Sequence, residues 1–146
     1  MLIINPDTNA LDTTSIAGLG SGGTKWAGGV LANNGLIYGI PRHSESVLII
    51  DPEAMTADTT TITGLSATNN KWSGGVLAAK GKVVGIPYGS NAVLAIDPET
   101  NTAGTTSLVG AGTGNYKYIG GVLAPNNLIY AIPFFADNVL VIDVGC

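Results

Sequence analysis

Three stretches of the chain are near copies set 46 residues apart: KWAGGVLANNGLIYGIP from Lys25, KWSGGVLAAKGKVVGIP from Lys71 and KYIGGVLAPNNLIYAIP from Lys117. The paired glycines at Gly28, Gly74 and Gly120 keep that step, and so do Pro41, Pro87 and Pro133, then Asp51, Asp97 and Asp143. Self-similarity at such a period marks a repeat architecture, in which one unit cannot bury its apolar surface alone and stacks on its copies. The segments MLIINPDT at the start and VLVIDVGC at the end are also versions of one another, because LIINP aligns with LIIDP one period later. The expectation is one domain over residues 1 to 146: three repeat units, with the array opened inside its unit.

Each unit reads as four short strands, A to D. Strand A is GGVLA at 28 to 32 and its copies; a turn at Asn33-Asn34-Gly35, Ala79-Lys80-Gly81 or Pro125-Asn126-Asn127 leads into strand B, LIYGIP. So short a connection between apolar runs, with Gly or Asn free to take a positive φ, predicts a hairpin. Strand C, SVLIID, ends at Asp-Pro, where proline presets a turn and the aspartate can bond the backbone ahead. Strand D is placed at DTTTIT, residues 58 to 63, and GTTSLV, residues 104 to 109, on β-branched content. No window of helical length shows a 3.6-residue apolar period, so the chain reads as all-β.

Strand C decides the architecture. Val47-Leu48-Ile49-Ile50 is apolar on both faces, whereas a sheet with one wet face would alternate. Each four-stranded unit must therefore be covered on both sides by its copies, which points to a β-propeller built of antiparallel blades. GGVLANNGLIYGIPRHSESVLIIDPEAMT resembles a blade of the kelch family, with a small-residue inner strand, a glycine turn, a Tyr-bearing strand, a variable loop and a third strand ending in Asp-Pro. That resemblance implies a binding scaffold.

Closed propellers typically use four to eight blades, so three wedges leave two open apolar faces, each on the order of several hundred Å². The simplest closure is a homodimer making a six-bladed ring. The chain starts with C and D and ends with A, B and C, so strand D of the last sheet is expected from an N-terminal segment, residues 1 to 19, of the other chain. One copy of C is then surplus: VLVID is expected in the sheet, with MLIIN pairing outside it or fraying.

Charge excludes more than it assigns. Lys and Arg number 6 against 10 Asp and Glu, a net charge of −4 with no basic run, which argues against nucleic acid. No apolar run approaches a membrane span, and the start lacks the basic region of a signal peptide, so a cytoplasmic product is the default expectation. Cys146 cannot form a disulfide within the chain; it reads as an unpaired thiol at a frayed end, or as a link between chains in an oxidising compartment.

Connections B to C and D to A fall at one rim, and the B-to-C loops RHSES, YGSNA and FFADN vary where the scaffold does not. Variable loops on a rigid frame are where ligands bind, which singles out Arg42, His43, Glu45, Tyr88, Ser90, Asn91, Phe134, Phe135 and Asp137. Trp26, Trp72 and Tyr118, each preceded by a lysine, stand near the same rim. Two readings apply to them: stacking on a glycan, multiplied around a ring, or packing between blades with the lysine stem as cover. His43 is the single histidine, so no His-pair metal site exists, and Ser44 beside it carries no catalytic spacing. Asp51, Asp97 and Asp143 read as turn residues, because DPETNT lacks the glycine and distal glutamate of a calcium loop. GLGSGG opens no helix and so makes no phosphate cradle. The chain therefore reads as a binding scaffold for a glycan, peptide or protein, with no cofactor and no catalysis, or as a purely structural self-assembling array.

Overall fold

The computed structural model describes residues 1–105 and 108–145. Cys146 and part of the segment 104 to 109 expected to form strand D lie outside the described residues. Thirteen strands follow one another, β1 (Ile3–Asn5), β2 (Ala10–Asp12), β3 (Trp26–Leu31), β4 (Ile37–Pro41), β5 (Leu48–Asp51), β6 (Thr56–Asp58), β7 (Trp72–Leu77), β8 (Val83–Pro87), β9 (Leu94–Asp97), β10 (Thr102–Gly104), β11 (Tyr118–Leu123), β12 (Ile129–Pro133) and β13 (Leu140–Ile142). They make two complete four-stranded antiparallel sheets, β3-β4-β5-β6 and β7-β8-β9-β10, flanked by the pair β1-β2 and the three-stranded β11-β12-β13. The innermost strands of successive sheets adjoin, β3 against β7 and β7 against β11. No helix of the described residues is long and apolar enough to cross a membrane.

The doubled glycine at the start of each inner strand has two separate causes. Between Trp26 and Gly29 the register against β4 slips by one residue, and the same bulge recurs between Trp72 and Gly75 and between Tyr118 and Gly121. The first glycine of each pair takes the left-handed backbone this needs, with φ of 86° at Gly28, 77° at Gly74 and 67° at Gly120. The second leaves room for the neighbouring sheet: a Cβ on Gly75 would stand 2.8 Å from Ile40 Cδ1, and one on Gly121 3.0 Å from Ile86 Cδ1.

Burial follows the same logic. Val47, Leu48, Ile49 and Ile50 are all buried, because one face of β5 meets the next sheet and the other meets the N-terminal segment. Val47 and Ile49 join Tyr38, Ile40, Trp72 and Leu94 in a core between the first and second complete sheets. A second core repeats this between β7-β10 and β11-β13. On the other side of the first sheet, Leu48 and Ile50 pack on Ile16 and Ile3.

The turns behave as their residues require. Gly35, Gly81 and Asn127 take positive φ in the A-to-B turns, and Asp51 accepts from the backbone N–H of Glu53 at 3.0 Å and Ala54 at 2.9 Å after strand C. Strand D departs from expectation. It occupies Thr56–Asp58, not 58 to 63, and the next residues turn away because Asp58 captures them: its carboxylate accepts from Thr60 N–H and Oγ1, both at 2.7 Å, and from Thr61 Oγ1. The threonines serve as hydroxyl donors here instead of ladder residues. The chain then rejoins strand C's side of the sheet, where Val47 N–H donates to Ile62 O at 3.0 Å.

These hydroxyl and backbone donors, Thr61 foremost and then Thr60, hold the Asp58 carboxyl at about 2 against a usual 3.8. Asp12, one period earlier, is held well below the usual carboxylate range by Ser15 and Thr14 in the same arrangement. A carboxyl depressed in the folded state contributes stability that is complete above its unfolded value and lost as pH falls through its folded one. The urea midpoint should therefore drop between about pH 5 and about pH 2, and the drop should shrink in a D12N/D58N double variant.

The N-terminal pair is also informative. Ile3, Ile4 and Asn5 pair with Asp12, Leu11 and Ala10, the register in which Ile49, Ile50 and Asp51 pair with Asp58, Ala57 and Thr56. Strands β1 and β2 thus correspond to C and D of the repeat unit, and among the described residues β11-β12-β13 correspond to A, B and C. Of the two expectations for MLIIN, pairing outside the last sheet is the one seen: β1 is bonded to β2 in a sheet of their own, and the Met1 ammonium donates to Ile16 O at 3.2 Å.

Candidate functional site

At the rim that carries the B-to-C and D-to-A connections, one lysine in each unit organises the backbone. The carbonyl of Lys25 accepts three successive N–H groups, from Arg42, His43 and Ser44, at 2.9 to 3.1 Å; Lys71 does the same for Tyr88, Gly89 and Ser90, and Lys117 for Phe134, Phe135 and Ala136. Three donors converging on one oxygen fold the B-to-C loop back over the entry to strand A. The ammonium turns toward the D-to-A loop. Lys25 Nζ donates to Gly20 O at 2.7 Å and Gly22 O at 2.8 Å; Lys71 Nζ donates to Thr68 O at 2.9 Å; Lys117 Nζ donates to Gly114 O and Ser90 O, both at 2.9 Å. Lys71 and Lys117 are 2% and 6% exposed, a placement that ammonium groups take only when hydrogen-bonded. Burial pushes both below the ordinary lysine value, and for Lys71 the Glu45 carboxylate pulls the other way.

The aromatics after these lysines pack inward. Trp26 is half-buried and its indole N–H donates to Ser46 O at 2.9 Å. Trp72, buried, donates to Ala92 O at 2.9 Å, and Tyr118, also buried, donates through its hydroxyl to Asn138 Oδ1 at 3.0 Å. Their polar ends pin the B-to-C loop and their rings fill the space between sheets, so Trp72 and Tyr118 present no open face at the rim.

The variable loops divide in two. Along one line, Arg42 places its guanidinium carbon 4.5 Å from the centre of the Tyr88 ring, and Tyr88 stacks on Phe134 at 6.3 Å. Tyr116 and Phe135 extend this cluster, with Tyr88 to Tyr116 at 5.0 Å and Phe134 to Phe135 at 5.0 Å. Tyr88 is buried, whereas Phe134 is 52% and Phe135 70% exposed. His43 is held at both ring nitrogens, Nδ1 to Thr24 Oγ1 at 2.9 Å and Nε2 to Asn70 Oδ1 at 3.1 Å, and Arg42 Nε donates to the same Asn70 oxygen at 3.1 Å. Glu45, Asn91 and Asp137 are exposed and stand apart from this line. Asn91 borders a cavity of about 780 Å³ together with Ser66, Asn69, Lys71, Trp72 and Asn115. One period later a cavity of about 670 Å³ lies beside Gly112, Asn115, Lys117, Tyr118, Asp137 and Asn138.

No protein-family model matches the chain, and no curated protein matches it in sequence. Solved structures do match its shape. Virginiamycin B lyase from Staphylococcus aureus superposes with a TM-score of 0.67 at 10% identity, over 98% of this chain and 48% of that one. Hydrazine synthase of Kuenenia stuttgartiensis gives 0.65 at 16% identity, over 98% of this chain and 39% of that one. The extracellular domain of a putative one-component system from B. thetaiotaomicron gives 0.61 at 14% identity, over 99% and 22%. The fold is propeller-like. The chain spans less than half the length of each of these structures, and at such identities the likeness speaks for architecture alone.

In this propeller-like frame the lysines are what the sequence reading undervalued. Lys25 and Lys71 keep their ammonium groups 5.7 and 5.8 Å from the ring centres of Trp26 and Trp72, and in each unit the lysine also accepts loop N–H groups at its carbonyl and donates to loop carbonyls through its ammonium. The signal was available, since three of the six basic residues occupy one repeat position.

Proposed function

We propose that the chain is a non-catalytic binding scaffold whose sheets are kelch-like blades, and that it works as a six-bladed ring closed by two copies. The observation that carries the binding reading is the recurrence of one rim cavity at the repeat step, with a different B-to-C loop over each copy. Glycans or peptides fit such a site, because its walls combine amide, hydroxyl and backbone groups with little net charge. Catalysis finds no support in His43, whose two ring nitrogens are engaged with Thr24 and Asn70.

Complementarity of the two open faces supports closure. β1 and β2 pair in the register of C and D beside the first complete sheet, and β11 and β12 of a second copy would supply the A and B strands next to them. At the opposite end Val122 is 61% and Ile132 47% exposed, while their counterparts Val30, Val76, Ile40 and Ile86 are buried. A second copy laid in the same register covers both. Burial of Trp72 and Tyr118 favours the other reading, a purely structural array, for those positions.

Light scattering on the 146-residue chain should give twice the mass of one chain, and a glycan array probed with that species should show binding that weakens in an N91A/N115A variant. A stable one-chain mass would remove the ring, and a blank array would leave the structural reading in its place.

A further inference from the structure

Three contacts step from unit to unit by the same rule. Lys71 N–H donates to Arg42 O at 3.0 Å, and Lys117 N–H to Tyr88 O at 2.8 Å. The side chain at that carbonyl residue stacks on its successor, Arg42 on Tyr88 at 4.5 Å and Tyr88 on Phe134 at 6.3 Å. The isoleucine two residues earlier fills the space over the second glycine of the next sheet, Ile40 over Gly75 and Ile86 over Gly121.

Each series stops with one half of the contact unmade. Among the described residues the Phe134 carbonyl receives no backbone donor and the Lys25 N–H finds no backbone acceptor. Ile132 is 47% exposed, and a Cβ on Gly29 would touch only its own sheet, at Ile37 and the Tyr38 carbonyl. The unmade halves are complementary in kind: an acceptor and a donor, an aromatic ring and a guanidinium, an isoleucine and a vacant glycine surface.

We infer that Phe134 is a seam residue and not a ligand contact: it stacks on Arg42 of a second copy, its carbonyl accepts that copy's Lys25 N–H, and Ile132 covers that copy's Gly29. This deepens the ring reading and rests on it. The cation over a ring face is a favourable pairing in its own right, and an arginine already makes it with Tyr88 on the neighbouring step. In the closed assembly Arg42, Tyr88 and Phe134 run twice round the rim as one continuous belt, in which each ring is covered by its neighbour.

The test is a directed crosslink. In a Cys146→Ser background, chains carrying R42C and chains carrying F134C are prepared separately, mixed, oxidised and run without reductant. The mixture should yield a covalent two-chain species that neither chain gives alone. A two-chain mass without the mixed crosslink, or a crosslink formed by F134C alone, would overturn the seam while leaving a dimer; a one-chain mass before oxidation would remove the ring as well. Should the cysteine chains fail to assemble, F134A and F134Y decide the matter. The seam requires pairing at least roughly tenfold weaker in F134A and near-native in F134Y, because tyrosine already fills this position one unit earlier. Equal pairing in the two variants would overturn it.

Discussion

Gly74→Ala should lower the melting temperature by roughly 10 °C or more. Two costs coincide there. The residue holds φ at 77°, where a Cβ costs about 1–2 kcal/mol. The new Cβ would lie 2.8 Å from Gly120 Cα and 3.0 Å from Gly120 N, both backbone atoms of the adjoining inner strand. Backbone cannot swing aside as a side-chain tip does, and overpacking of this kind adds about 1–3 kcal/mol. Against a total stability of about 5–15 kcal/mol the sum is a large fraction.

Gly120→Ala is the companion measurement. Its φ is 67°, yet an added Cβ meets nothing within 4 Å in the chain itself. A dissociated chain should therefore feel only the backbone term. In a ring, Gly120 would face Gly28 of a second copy as Gly74 faces Gly120, so G120A should also lower the two-chain fraction seen by light scattering. Thermal melts by circular dichroism, recorded at two protein concentrations, separate the two contributions.

Removing residues 1 to 19 should abolish soluble assembly. The deletion takes away β1, β2 and Ile16, which are what cover Leu48 and Ile50 on the first complete sheet. It also removes the D strand proposed to complete the last sheet. A shorter deletion, residues 1 to 8, should be tolerated, because the same segment recurs from residue 139 and β13 already holds it in the C register against β12. Ile142 on β13 is buried, whereas Ile4 on β1 is 61% exposed, so the C-terminal copy is the better seated. Soluble yield and mass for the two deletions are the readout; unchanged assembly without residues 1 to 19 would mean that this segment is no clasp.

How much of this could be read in the sequence depends on whether a feature is local or arises between units. The four-strand unit, its turns and the double-sided burial of strand C were legible because each rests on neighbours in the chain: Asp51 with Glu53, Gly35 in a two-strand turn, Val47 to Ile50 as an unbroken apolar run. Strand D was misplaced because β-branched threonines look like strand residues until a carboxylate such as Asp58 engages their hydroxyls. The roles of Lys25, Lys71 and Lys117 were hidden for a different reason. Their partners are carbonyls of loops 3 to 29 residues away, and carbonyls leave no mark in a sequence. Nor did the variable-loop argument separate Phe134 from Asn91: both are variable-loop positions at one rim by sequence, and only the Arg42-Tyr88-Phe134 line shows which belongs to a contact between units.

The lysine-to-carbonyl step has one direction, since the second unit donates to the first and the third to the second. A contact of that polarity closes only when the turn per unit divides a full circle, and otherwise propagates head to tail without end. Substitutions that change the tilt between β3, β7 and β11 should therefore fail in a characteristic way, as open filaments whose length grows with concentration.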